Sequence, residues 1–420
     1  MRPTVKEFED FKFKLPCLVS TKQGIPLYIY ESKGLNVCRV DIIFSAGTYQ
    51  QSMPLETEAA AEVMTEASEK RSSATVSELF DFYGGFIQKG VSTHYTIFTL
   101  YAPNRTFPKL LPLFFELITS PRFSKRDLDR FKQRGSESLK VAQKKVENIS
   151  YRIFKERMFG SHPYGVTPCV EDYSKLNTNS IRSYAKEFFV AERCSVVMSG
   201  DVSDNMIELL SQNILRIPSG KVLNEHHQIT TPQMKGVEVK EIANVMQSSV
   251  RIGAFTINRQ DENYLNLYIL NTALGGYFGS RFNKTIREEK GYTYGINSWL
   301  IGLPDAAYLS ISTHTAVNFT KPLLLEVKNE IEKIKSSPIS ENELHQLRGY
   351  MLGDFARMFD TCFSLADNFI ALLTNNIGFD YFDKRIEAIK SITPEILLTT
   401  AQNFLPCYDD MCIVVAGGMK

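Results

Sequence analysis

The chain has 420 residues, with 48 Lys+Arg against 47 Asp+Glu, 43% hydrophobic and 23% charged residues. That length suits two or three domains, each able to bury its own core. The balanced charge argues against a dedicated nucleic-acid binder, and the ordinary hydrophobicity against a disordered chain.

From Met1 to Leu15 acids and bases alternate without an apolar run, which resembles neither a signal peptide nor a transit peptide. No stretch of about 18 apolar residues occurs, so no membrane span is expected. The seven cysteines are odd in number and include no C-x-x-C pair. They fit a reducing compartment, and the cytoplasm is the expected address. Strands are predicted at 27–31 and 37–44, then helices over 56–69 and 73–83, the second stopped by Gly84-Gly85 in left-handed geometry. A strand over 94–101 and a helix over 108–119 follow. Further on the pattern returns: a strand near 250–256, helices over 262–274 and 280–290, strands at 294–300 and 307–313, and a helix over 321–335.

This recurrence is a duplication. CSVVMSG from Cys194 matches CIVVAGG from Cys412, both reading as a buried strand ending at a glycine turn. AKEFF from Ala185 matches AQNFL from Ala401, at a separation of 216 residues. Two helix starts of the capping-box kind, at Ser124 and Ser340, repeat that separation of 216. The expected fold is α+β: two tandem duplicated domains, each an antiparallel-rich sheet with helices packed on one face. The expected boundaries are 1–217 and 237–420, joined by a polar linker over 218–236.

Of the six histidines (His94, His162, His226, His227, His314 and His345), none has H-E-x-x-H or H-x-x-E-H spacing, where two imidazoles share a helix face. His162 lies in HPYG, read as a turn. GGYFGSRFNKT from Gly275 lacks the glycine that a phosphate loop needs before its lysine, since Asn283 stands there. No G-x-S-x-G elbow is present. The distinctive block is GGYFGSRFNKTIREEKGYTYG, from Gly275 to Gly295. Arg287 at a helix end and Tyr294 on the next strand should flank one tight turn and could both donate to a carbonyl oxygen. The same residues read equally as a solvated helix face with Arg287 paired to a Glu.

That block resembles the C-terminal motif of the M16 (pitrilysin-like) zinc metallopeptidases, SRL-x-x-x-(I/L)RE-x-x-GL-x-Y, with the same spacing from Arg287 to Tyr294. The duplicated halves and the HPYG turn are similar too, so the resemblance covers nearly the whole chain. It is greatest for two-domain members: mitochondrial processing peptidase subunits, bc1 core proteins and bacterial heterodimeric peptidases. It implies a LuxS/MPP-like metallohydrolase fold, two such chains closing around a chamber. The family's zinc motif, H-x-x-E-H with a distal Glu, aligns with Glu58-Ala59-Ala60-Ala61-Glu62, the distal ligand falling near Glu137. Both histidines are thus Glu58 and Glu62, and the general base is Ala61. Without imidazoles zinc is not held, and without the base no side chain takes the proton from water. Glu58 and Glu62 otherwise read as an exposed helix face, or as a chance site for a hard cation.

The resemblance therefore implies a zinc-less, non-catalytic subunit of a heterodimeric metallopeptidase. Arg287 and Tyr294 would act on substrate at the partner's zinc site. The chain itself would bind no cofactor. The partner would be an H-x-x-E-H homologue, and the substrate a peptide or unfolded segment. The rival readings are a scaffold of the bc1 core-protein kind and an active zinc peptidase with non-standard ligands.

Overall fold

The computed structural model describes residues 13–20, 24–222, 227–229 and 234–419. The first half opens with strands β1 (Cys17–Ser20), β2 (Pro26–Glu31) and β3 (Val37–Phe44), then helices α1 (Glu56–Met64) and α2 (Ser73–Tyr83). A hairpin of β4 (Phe86–Val91) and β5 (Thr96–Pro103) leads to α3 (Phe107–Thr119), α4 (Lys125–Ala142) and α5 (Val146–Phe159). Short α6 (Asp172–Lys175), α7 (Thr178–Phe188), β6 (Cys194–Gly200) and α8 (Asp204–Ile214) complete it. The second half runs β7 (Gly236–Glu241), β8 (Gln247–Phe255), α9 (Tyr264–Asn271), β9 (Thr293–Gly302) and β10 (Ala307–Ala316). Helices α10 (Thr320–Ser336), α11 (Glu341–Arg357), α12 (Cys362–Thr374), α13 (Tyr381–Ser391) and α14 (Pro394–Phe404) precede β11 (Cys412–Gly417).

The duplication is visible in the topology. One sheet has the order β1-β2-β6-β3-β5-β4 and the other β7-β11-β8-β10-β9. Apart from the extra β1, the two orders are the same. In both, the first strand pairs in parallel with the last and the remaining pairs are antiparallel. The repeated helix starts cap as expected, Ser124 Oγ accepting from Asp127 N and Ser340 Oγ from Glu343 N.

Strand alternation sends Cys38, Val40, Ile42 and Phe44 of β3 into the core formed with α1, α3, α7 and α8. Ile43 and, on β6, Val197 face the other way, against Phe355, Phe369 and Ile370 of α11 and α12. The second sheet mirrors this arrangement. Ile413 and Val415 of β11 join its own core, whereas Cys412 and Val414 meet Phe154, Met158 and Phe159 of α5. Each half thus lends a helix to the far face of the other half's sheet. Each Phe or Leu so buried contributes about 1.5–3 kcal/mol. Arg39, on that far face of β3, donates from Nε to Asp41 at 2.7 Å and from Nη2 to Asp367 of α12 at 2.6 Å. This ties the exchange together electrostatically.

Two expected helices change form. α1 stops at Met64, not near 69, and Thr65 Oγ1 donates back to Ala61 O and Glu62 O of its last turn at 3.2 and 3.0 Å. Buried Ser68 and partly exposed Arg71 then bond to Glu116 of α3. The helices expected over 262–274 and 280–290 widen into π-turns at Thr272–Gly276 and Asn283–Glu289. Gly275 is required there: a Cβ would lie 2.7 Å from Ser298 Cβ.

Candidate functional site

On α1, Ala61 is 1% exposed and belongs to the core. Neither Glu58 nor Glu62 forms the exposed helix face expected from sequence. Burial pushes the Glu58 carboxyl above the usual carboxylate range, and its Oε2 is buried without a hydrogen bond. Glu62, 24% exposed, accepts from Lys89 Nζ of β4 at 2.8 Å and Arg134 Nη2 of α4 at 3.1 Å. The reason is tertiary: α4 and the edge strand β4 flank α1 and bring two cations to one carboxylate. Glu137 is exposed one turn beyond Arg134, with Gln133 Nε2 at 3.4 Å.

These residues do not fit zinc. The ligand positions offer one buried carboxyl favouring its neutral form and one carboxylate already paired with two cations. Among the described residues no group of three His, Cys, Asp or Glu could hold a metal ion. His226 lies outside the described residues.

The second half brings its predicted pair together. Gly291, at φ 67°, ends the π-turn and starts the reversal. Arg287 Nε donates to Tyr294 O at 2.9 Å, and its guanidinium carbon lies 3.9 Å from the Phe278 ring centroid. Nη1 is 3.5 Å from Glu288 Oε1, so a trace of the Glu pairing is also present. The Tyr294 side chain is 94% exposed in the single chain. Arg287 and Tyr294 line a cleft of about 530 Å³ with Gln247, Tyr292, His314 and Phe319. Arg287 Nη1 is buried without a hydrogen bond, and a guanidinium beside an exposed phenol can donate to a carbonyl or carboxylate oxygen.

The strand holding Tyr294 is itself anchored by side chains that sequence reasoning missed. Asn283 Nδ2 donates to Ile296 O at 2.9 Å and Asn271 Nδ2 to Ser298 O at 3.0 Å. With Arg287 on Tyr294 O, alternate carbonyls of the edge strand β9 are capped from the end of α9 and from the second π-turn, which closes that edge to another strand. The available signal was asparagine within a helical pattern, a residue that favours backbone bonding over helix. Lys89 and Arg134 carried no local signal.

Residues 175–350 match the family model described as the peptidase M16 inactive domain. A Bacillus subtilis protein named as the uncharacterized zinc protease YmxG is 21% identical over 285 residues, 67% of this chain and 69% of that protein. The Helicobacter pylori non-peptidase homologue YmxG is 23% identical over 246 residues, 57% of this chain and 56% of that protein. A crystal structure of a peptidase M16 inactive domain from Pseudomonas fluorescens superposes with a TM-score of 0.88 at 20% identity, covering 96% of this chain and 98% of that one. At that identity the superposition establishes the fold.

Proposed function

As a member of the M16 peptidase family, this chain is, we propose, the zinc-less subunit of a heterodimeric peptidase. The observation that carries this reading is one tight turn holding Arg287 beside an exposed Tyr294, in a chain whose α1 positions do not fit zinc. The partner is an H-x-x-E-H homologue that contributes metal, general base and water. This chain contributes donors aimed at the scissile carbonyl of a peptide or unfolded segment. Charge grows on that oxygen as water attacks, and a donor already in place lowers the barrier without reorganising. The same proposal takes 1–217 and 237–420 as the two domains, 218–236 as their linker, and the cytoplasm as the location.

The test is reconstitution with the H-x-x-E-H chain. Arg287→Ala or Tyr294→Phe should lower turnover by about 10²–10³ while assembly and the partner's zinc content stay unchanged. Arg287→Lys should rescue only in part, because Lys lacks the planar fork. Full turnover in both variants would sink this reading. It would favour a scaffold without peptidase role, for which one observation already speaks: Arg287 has structural work, anchoring Tyr294 O and covering Phe278.

A further inference from the structure

Away from both motifs, the tip of the β9–β10 hairpin enters a socket made by the first half. Asp305 Oδ2 accepts from Tyr49 Oη at 2.6 Å and Tyr164 Oη at 3.2 Å. Asp305 N returns a bond to Tyr164 Oη at 3.2 Å. His94 Nε2 lies 2.7 Å from Tyr164 Oη. Described linker residue His227 closes the box, its N–H donating to Tyr49 Oη at 2.8 Å. The rings pack closely: Tyr49 to His94 at 4.6 Å, Tyr49 to His227 at 4.9 Å and His162 to Tyr164 at 4.4 Å between centroids.

The hydrogen bonds dictate a protonation state. His162 Nδ1 accepts from Tyr164 N–H at 3.1 Å, so that nitrogen carries no proton. Nε2, 3.0 Å from His227 O, must then be the one that donates. Both nitrogens of the neutral ring are used. An imidazolium would set an N–H against the Tyr164 N–H and break the bond that orders the socket wall. His162 is 6% exposed, leaving water little access to compensate.

We propose that this box is a proton-sensitive latch: Asp305 holds the hairpin tip to the first half and the linker while His94 and His162 are neutral, and their protonation releases it. The charged and titratable groups facing these imidazoles are Asp305 from the hairpin, His227 from the linker, Lys155 from α5, and the phenols of Tyr49 and Tyr164. Asp305 favours the imidazolium forms, but burial outweighs it at both rings. His94 is pushed down to about 4 from an ordinary 6.5, and His162 is also lowered. A ring that regains its ordinary value on release binds protons better in the open form. At pH 5, His94 alone shifts the balance toward opening by up to about 30-fold. α5 and α12 keep the halves packed, so opening is local to the tip and the linker.

The chain's single tryptophan, Trp299, reports on this hairpin, lying opposite Ser310 in its ladder and half exposed. Tryptophan emission of the full chain is followed from pH 7.5 to 4.5 with far-UV circular dichroism in parallel. The expected result is an emission transition with an unchanged far-UV spectrum, lost in the doubly substituted His94→Gln, His162→Asn chain. Asp305→Asn should give emission displaced toward the acid form already at pH 7.5, a readout that does not depend on the double variant folding. The proposal is overturned by flat wild-type emission, by a far-UV loss in step with the emission, or by an undiminished transition in the double variant. Wild-type behaviour of Asp305→Asn would overturn it as well.

Discussion

Substituting the family's zinc ligands into α1 should give zinc binding that the neighbouring cations weaken. In the Glu58→His, Ala61→Glu, Glu62→His chain, a metal on the position-62 imidazole would sit roughly 2 Å from its nitrogen. Lys89 Nζ is 2.8 Å and Arg134 Nη2 3.1 Å from the present Glu62 oxygens. The ion would then lie no more than about 5 Å from the Lys89 ammonium if that side chain stayed in place. A divalent ion and a unit charge at about 5 Å repel by about 6–7 kcal/mol at an effective dielectric of about 20. Lys89 can swing toward water, so a third of this, about 2 kcal/mol, is the working figure, or about 30-fold in Kd. Arg134 is more exposed and adds less. Zinc affinity would be measured by competition against a chromophoric chelator. Adding Lys89→Ala to the three substitutions should tighten binding by about 30-fold or more. Equal affinity with Lys89 present or absent would refute the argument that cations now hold this site.

Arg39→Met should cost about 3–5 kcal/mol in urea unfolding, because buried Asp41 loses its ionic partner and keeps only Thr99 Oγ1 at 2.6 Å. Arg39→Met with Asp41→Leu should recover most of that, whereas Asp367→Asn should cost under about 1 kcal/mol, since Asp367 is 64% exposed; an uncorrected double variant would contradict the buried-pair account. Glu58→Gln should raise Tm at pH 7–8 and leave it unchanged near pH 4. With the folded carboxyl raised above its ordinary value, its stabilising contribution is complete below pH 4.5 and is lost as pH rises through the folded value. A gain that is the same at both pH values would exclude burial of the charge as its cause.

Much of this protein was legible locally. The strand at 37–44 and the helix at 73–83 follow from side-chain period and from Gly84, which caps at φ 71°. The duplication was readable because equal spacing of capping serines and strand-glycine motifs encodes two copies of one topology. Arg287 and Tyr294 could be paired in advance because they flank a single turn.

What the tertiary structure decided is mostly charge and cover. Arg134 meets Glu62 across 72 residues, and Arg39 meets Asp367 across 328. No residue pattern short of the folded sheets announces such partners. Nor does an amphipathic period say whose sheet a helix will cover, so the exchange of α5 and α12 was invisible in the sequence. Asn271 and Asn283 act on β9 carbonyls brought near only by folding. Local propensity yields to them because an unmet carbonyl at a buried sheet edge costs more than a distorted helical turn.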